Sequence, residues 1–243
     1  MDSSIKISIV IPAKNEEKYI KRLLDSLITQ TYKPFEIIVA DASSKDNTIK
    51  IAKKYNAIIT TGGLPSHGRN QGAKIAKGDY IFFCDADTYL KKDFIEKCVK
   101  QIIKHNSLAG TVYNIPIYGF EEKGLNNPFI RKYDSLIYFI HNKFLTLTQK
   151  TKNPLVTGTF IFVKRQLFLK TSGFDESIIA FEDAEFAKRI SKHAKFHAFK
   201  NPKIFVSTRR FDKKGRILFL IYVGIRASLG RKILGEKKSG KYF

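Results

Sequence analysis

The chain has 243 residues, with 44 Lys and Arg against 22 Asp and Glu, a formal net charge of +22. That length suits one large domain or a domain with an appendage. It allows roughly 70–75% of the unfolded surface to be buried, so no disulfide or structural metal is needed to hold it. At 43% hydrophobic and 27% charged residues, the composition excludes a disordered or fibrous chain.

Two cysteines, Cys84 and Cys98, form neither a disulfide framework nor a CxxC metal site. They fit a reducing compartment, where cysteine is a small buried apolar residue. The first residues lack a basic stretch followed by a long apolar core. The apolar run 217–225 is too short to span a bilayer, which takes about 20 residues. The expectation is a cytoplasmic protein without a transmembrane helix. The charge points to anionic partners: nucleic acid, an acidic membrane face or phosphorylated substrates.

In chain order, Ile5 to Ile11 is apolar and β-branched and reads as a buried strand stopped by Pro12. Glu16 to Gln30 places Tyr19, Ile20, Leu23, Leu24, Leu27 and Ile28 at helical spacing. Glu36 to Ala40 is a second strand ended by Asp41. Ser43 to Thr48 is a turn with capping residues that leads into a helix through Tyr55. Ala57 to Thr60 is a short third strand. Arg69 to Ala76 reads as a helix opened by Gly68 and ended by Lys77 and Gly78. Tyr80 to Cys84 is a fourth strand, followed by Asp85, Ala86 and Asp87, and Phe94 to Ile103 is a further helix.

This alternation implies an α/β, Rossmann-like, mainly parallel sheet flanked by helices. Such sheets bind ligands beyond the carboxyl ends of their strands. Asn15 and Glu16, Asp41, and Asp85 with Asp87 all fall at strand ends, which describes one site. In extended chain, Asp85 and Asp87 point to one side and make a hard oxygen site for Mg²⁺ or Mn²⁺ with phosphate. A solvated turn is the alternative. Arg69 at a helix start fits either phosphate binding or a plain capped helix. Glu182 and Asp183 fit either favourable dipole partners at a helix start or a general base in a partly apolar pocket.

Taken together, Val10 to Glu16, Ile37 to Thr48, Gly68 to Thr88, Thr157 to Glu176 and Phe181 to Ile190 resemble, in order and spacing, the family 2 glycosyltransferases of GT-A fold. The resemblance spans roughly residues 5–211. It implies an inverting hexosyltransferase that moves a sugar from a nucleoside diphosphate sugar, a UDP- or GDP-sugar, with Mn²⁺ or Mg²⁺ as cofactor. By the same resemblance Pro12, Ala13 and Glu16 line the nucleoside pocket, Asp41 holds base or ribose, and Arg69 helps position the donor. Asp85 approaches the ribose and the metal-bound phosphates, and Asp87 ligates the ion. Asp183 is the general base and Glu182 its neighbour in the acceptor pocket. Asp41 is followed by Ala42 and Ser43, a departure from the family pattern that bears on base selectivity. Arg209 and Arg210 stand where the family has a basic-aromatic motif. They are read either as diphosphate ligands or as a basic surface loop.

Residues 152–159, with Thr157 and Gly158, read as the loop and strand joining the halves at the acceptor cleft, Gly158 allowing close backbone approach. The expected organisation is a glycosyltransferase domain over 1–211, with a nucleotide-sugar half over 1–105 and an acceptor half over 106–211. A basic, amphipathic, helical C-terminal extension follows over 212–243. Segments 129–148 and 216–234 mix apolar and basic residues. Each suits either a helix in a lipid interface or one packed on the core. The expected setting is peripheral, on the inner face of the cell membrane, with a lipid-linked or glycan acceptor. A sugar-phosphate nucleotidyltransferase is an alternative, but VIPAKNEE (Val10 to Glu17) lacks the Gly-rich loop this needs. The other is a basic protein that binds nucleic acid or membrane without catalysis. The strand-end carboxylates argue against nucleic acid, because they would repel phosphate without a metal.

Overall fold

A computed structural model describes residues 5–119, 126–179 and 181–216. One eight-stranded sheet organises them, in the order β3-β2-β1-β4-β7-β6-β8-β5. The strands are β1 (Ile7–Ala13), β2 (Phe35–Asp41), β3 (Ile58–Thr61), β4 (Tyr80–Cys84), β5 (Thr88–Tyr89), β6 (Ala109–Ile117), β7 (Phe160–Lys164) and β8 (Phe196–Ser207). The helices are α1 (Glu17–Ile28), α2 (Thr48–Lys54), α3 (Pro65–Ile75), α4 (Phe94–His105), α5 (Pro128–Thr148), α6 (Arg165–Lys170), α7 (Glu182–Ile190) and α8 (Arg209–Lys214). Strands β1 to β4 pair in parallel, as the βα alternation requires. The second half is mixed: β7 runs antiparallel to both β4 and β6, whereas β8 runs parallel to β6.

Alternation along the strands divides the core into two layers. Ile7, Ile9, Ile11, Phe82, Phe160 and Phe162 face α1 and α4 on one side. Val10, Ile81, Phe83, Ile161 and Val163 face α3, α6 and α7 on the other. Phe82 meets Phe160 edge-on at 5.4 Å between ring centres, and Phe160 meets Phe94 at 5.1 Å, so strand and helix faces interlock. Helix α3 lies flush on β1, because a Cβ at Gly72 would sit 2.3 Å from Val10 Cγ1.

Two expectations are corrected. Pro12 does not end the first strand but pairs with Ala40 inside it. Pairing of β1 with β4 covers only Ile7 to Val10, so Pro12 faces a free edge on that side, where a missing N–H costs no ladder bond. The third helix starts at Pro65, not at Gly68, with proline in the first turn. Arg69 therefore sits within the helix and gains nothing from a helix N-terminus. Among the described residues no helix is long and apolar enough to cross a membrane. The expected amphipathic extension lies outside the described residues from 217 onward.

Candidate active site

Strand β4 delivers Asp85 to the carboxyl edge of the sheet, but the chain then turns rather than staying extended. Thr88 Oγ1 donates to the Asp85 carbonyl at 2.8 Å and closes the turn. The two aspartates thus lie near each other because of a turn, not because of strand alternation. Beyond it β5 pairs with the end of β8, Thr88 opposite Val206, and Ser207 N–H donates to the Asp87 carbonyl at 3.2 Å. That ladder carries Arg209 and Arg210, at the start of α8, onto the acidic turn.

Three arginines meet four carboxylates there. Arg209 Nε donates to Asp87 Oδ2 at 2.8 Å, and its Nη2 donates to Glu16 Oε1 at 2.7 Å. The same guanidinium lies 4.2 Å from the centre of the Tyr19 ring. Arg210 Nη2 reaches Asp85 Oδ2 at 3.2 Å, but its side chain is 64% exposed, so solvent screens that pair. Arg69, only 3% exposed, donates to Glu182 Oε1 at 2.7 Å, to Asp85 Oδ1 at 3.2 Å and to the Gly158 carbonyl at 3.1 Å. A Cβ on Gly158 would lie 2.6 Å from Arg69 Nη2. The close approach that Gly158 permits is therefore that of Arg69.

Burial pushes the carboxyls of Glu16, Asp85 and Glu182 above their ordinary range, although the arginines pull the other way. For Glu182 the neighbouring Asp183 charge adds to the rise. Helix α7 places both acids in its first turn, after Phe181 in a left-handed conformation at φ 67°. A phenylalanine there is a strained position of the kind found at functional sites. Asp183 is buried, and its Oδ1 accepts from Ala184 N–H at 2.8 Å.

The remaining predicted residues lie around this cluster. Asp41 ends β2 and accepts from the Ser44 amide at 2.8 Å and from the Ser44 hydroxyl at 2.5 Å. Pro12 and Ala40 face Gly68 across the β1–α3 contact, and Ala13 closes the same strand. Thr157 Oγ1 accepts from Asn114 Nδ2 at 3.0 Å, beside a buried pair formed by Asn114 and Asn142. Arg69, Glu182 and Gly158 come together directly; Asp41 and Thr157 form separate polar pockets.

Some contributors were not singled out from sequence. Tyr19 and Arg22 follow Glu16 at steps of three along α1, so the three share one side of it. Arg22 Nη2 donates to the Asp87 carbonyl at 3.1 Å. That spacing was a usable signal.

Hard carboxylate oxygens from Asp85, Asp87 and Glu16 fit a divalent cation, and Glu16 Oε2 is buried without a hydrogen-bond partner. Among the described residues no three acids, histidines or cysteines form a ready ligand set. A cation held there would have open positions for water or diphosphate oxygens.

Residues 8–171 match the model of glycosyl transferase family 2. The chain belongs to that family. Membership favours glycosyl transfer over the nucleotidyltransferase alternative. Among curated relatives, a poly(ribitol-phosphate) β-N-acetylglucosaminyltransferase, TarS, of Staphylococcus aureus is 28% identical over 61% of this chain and 27% of its own length. Chondroitin synthase of Pasteurella multocida is 29% identical over 78% of this chain and 19% of its own. The chain thus spans about a fifth to a quarter of the length of these relatives. Among solved structures, S. aureus TarS 1-349 in complex with UDP-GlcNAc superposes with TM-score 0.64 at 25% identity, covering 84% of this chain and 59% of that one. The mannosyltransferase PcManGT of Pyrobaculum calidifontis, in complex with GDP-Man and Mn²⁺, gives 0.66 at 18% identity over 90% and 61%. The GT-A architecture expected from the sequence is the observed one.

Proposed function

We propose that this family 2 member transfers a sugar, with inversion, from a nucleoside diphosphate sugar to a lipid-linked or glycan acceptor. The observation that carries this reading is the junction at the carboxyl ends of β1 and β4. There Glu16, Asp85 and Asp87 meet Arg69, Arg209 and Arg210, next to the two acids of α7. A UDP-GlcNAc complex of a relative at 25% identity supports a UDP-sugar as donor.

Pro12, Ala13 and Asp41 line the nucleoside side. Asp85 and Asp87, with Glu16 beside them, would hold a divalent ion, which would supply Lewis-acid stabilisation of charge on the diphosphate. Arg69 keeps Asp85 and Glu182 in fixed positions, and Arg209 and Arg210 face the diphosphate. Asp183 takes the acceptor hydroxyl proton as that oxygen attacks the anomeric carbon from the face opposite the diphosphate. Glu182, Thr157 and Gly158 border the acceptor. The glycosyltransferase domain spans 1–211, its nucleotide-sugar half over 1–105.

The acceptor reading extends to location, peripheral on the inner face of the cell membrane. Support comes from the +22 charge and from the outer face of α5. Phe129, Leu136, Phe139 and Leu147 are exposed there, with Lys132 and Lys143 between them and Asp134 buried on the inner side. A basic and apolar face of this kind fits an anionic lipid interface.

A screen of nucleotide sugars for hydrolysis and for metal-dependent rise in melting temperature tests the function. Asp183→Asn should retain donor binding and lose transfer; Asp87→Asn should lose metal-dependent donor binding. Full transfer by Asp183→Asn overturns the assigned base.

A further inference from the structure

Glu16 and Asp87 lie on α1's entry and on the β4–β5 turn, and both carboxylates are largely out of water, 16% and 2% exposed. Two such charges side by side are strongly disfavoured without a counter-charge. The protein supplies one from its own chain. Arg209 bridges them, with Nε on Asp87 and Nη2 on Glu16, under the Tyr19 ring. Arg210 adds a second positive charge from further off, but Arg209 alone bridges the two, and Glu16 Oε2 stays buried without a hydrogen-bond partner. A divalent cation would balance both.

We propose that Arg209 is a placeholder cation. In the donor-free site its guanidinium fills the charge position between Glu16 and Asp87, and it is exchanged when a divalent ion enters with the donor diphosphate. The inference rests on the metal reading above. Its geometry allows exchange at small cost in backbone movement, since Arg209 is the first residue of α8 and its side chain can swing while Ser207 N–H stays on the Asp87 carbonyl. The released guanidinium then lies beside the incoming diphosphate, a better partner for its planar fork than either carboxylate alone. Donor occupancy and the position of Arg209 thereby become one equilibrium, because Arg209 and the ion compete for the same carboxylates.

The test is Mn²⁺ binding by the full chain without nucleotide, read from the electron paramagnetic resonance signal of free Mn²⁺. Arg209→Gln should bind Mn²⁺ about tenfold more tightly than the unmodified protein. Arg209→Lys keeps the charge but loses the fork, and should fall between them. Equal or weaker binding by Arg209→Gln, with binding still lost in Asp87→Asn, overturns the placeholder and leaves the metal site standing. Absence of Asp87-dependent binding in every variant, even with UDP added, overturns both. A second measurement needs no variant. In the unmodified protein, the Arg209 Nε–H resonance should move to a new chemical shift on titration with Mg²⁺ and UDP together, as its partner changes from carboxylate to diphosphate. An unmoved resonance at saturation overturns the proposal.

Discussion

Arg69→Ala removes the most buried cation of the site and leaves two acids behind. Its guanidinium holds Glu182 at 2.7 Å and Asp85 at 3.2 Å, and it stands 5.4 Å from the Phe174 ring centre. Breaking one buried ion pair by deleting a partner costs about 3–5 kcal/mol, because the remaining charge is uncompensated. Here the deletion strands Glu182, only 11% exposed, and leaves Asp85 with the solvent-exposed Arg210 as its remaining partner, so the upper end applies. For a domain of this size about 5 kcal/mol lowers the melting temperature by roughly 10–20 °C. The loss must also depend on pH. Burial already raises Asp85 and Glu182 above their ordinary values of 3.8 and 4.5, with Arg69 acting against the rise. Without Arg69 both climb further. The folded state then binds more protons than the unfolded one in the window above those ordinary values, so stability increases as pH falls through it. Melting curves of both proteins from about pH 8 down to about pH 5 should show a wide gap that narrows toward acid. A gap of a degree or two at neutral pH, or one that is constant or wider at low pH, would refute the account of Arg69 as their shared counter-charge.

Gly158→Ala should push the Arg69 fork out of place, since the new methyl falls 2.6 Å from Nη2. A loss of about 1–3 kcal/mol in chemical denaturation is expected, less than for Arg69→Ala; an unchanged midpoint would mean the fork has another seat. Burial pushes the Cys84 thiol up to about 12, so Ellman's reagent at mildly alkaline pH should label it only after unfolding. Rapid labelling of the native protein would show that the end of β4 opens. Deleting residues 217–243 should weaken co-sedimentation with anionic liposomes while leaving the nucleotide-sugar thermal shift intact. Unchanged sedimentation would remove that segment from the membrane reading. On α5, Phe139→Glu should reduce the same sedimentation, because it puts a like charge to the lipid on the exposed face.

Elements whose side chains alternate or recur with a fixed period are legible in the sequence alone. The run Tyr80 to Cys84 reads as a strand buried on both faces and is one, between β1 and β7. Leu23, Leu24 and Leu27 face the core from α1 as their spacing demands. Punctuation residues misled where tertiary context removed their usual cost. Pro12 was read as a stop because a proline breaks an interior ladder, yet the neighbouring strand ends before reaching it. Gly68 was read as a helix opening, yet it lies inside α3 and allows that helix to close on Pro12 and Ala40, with Pro65 the true start signal.

The network of charges was out of reach for a different reason. Its partners are 122 residues apart for Arg209 and Asp87, and 193 for Arg209 and Glu16. Local pattern shows that an acidic turn follows a buried strand and that two arginines follow another, but each alone is indistinguishable from a solvated loop. Their meeting depends on the antiparallel pairing of β5 with β8, two residues long, which no periodicity announces. The short ladder brings two unremarkable sequence motifs together as counter-charges. Through it the chain supplies the acids with arginine partners from a distant segment. Weakening that ladder, rather than any residue of the acidic turn, should therefore uncouple Arg209 from Glu16 and Asp87. Phe205, whose ring meets Tyr89 edge-on at 5.7 Å across it, is the position to change.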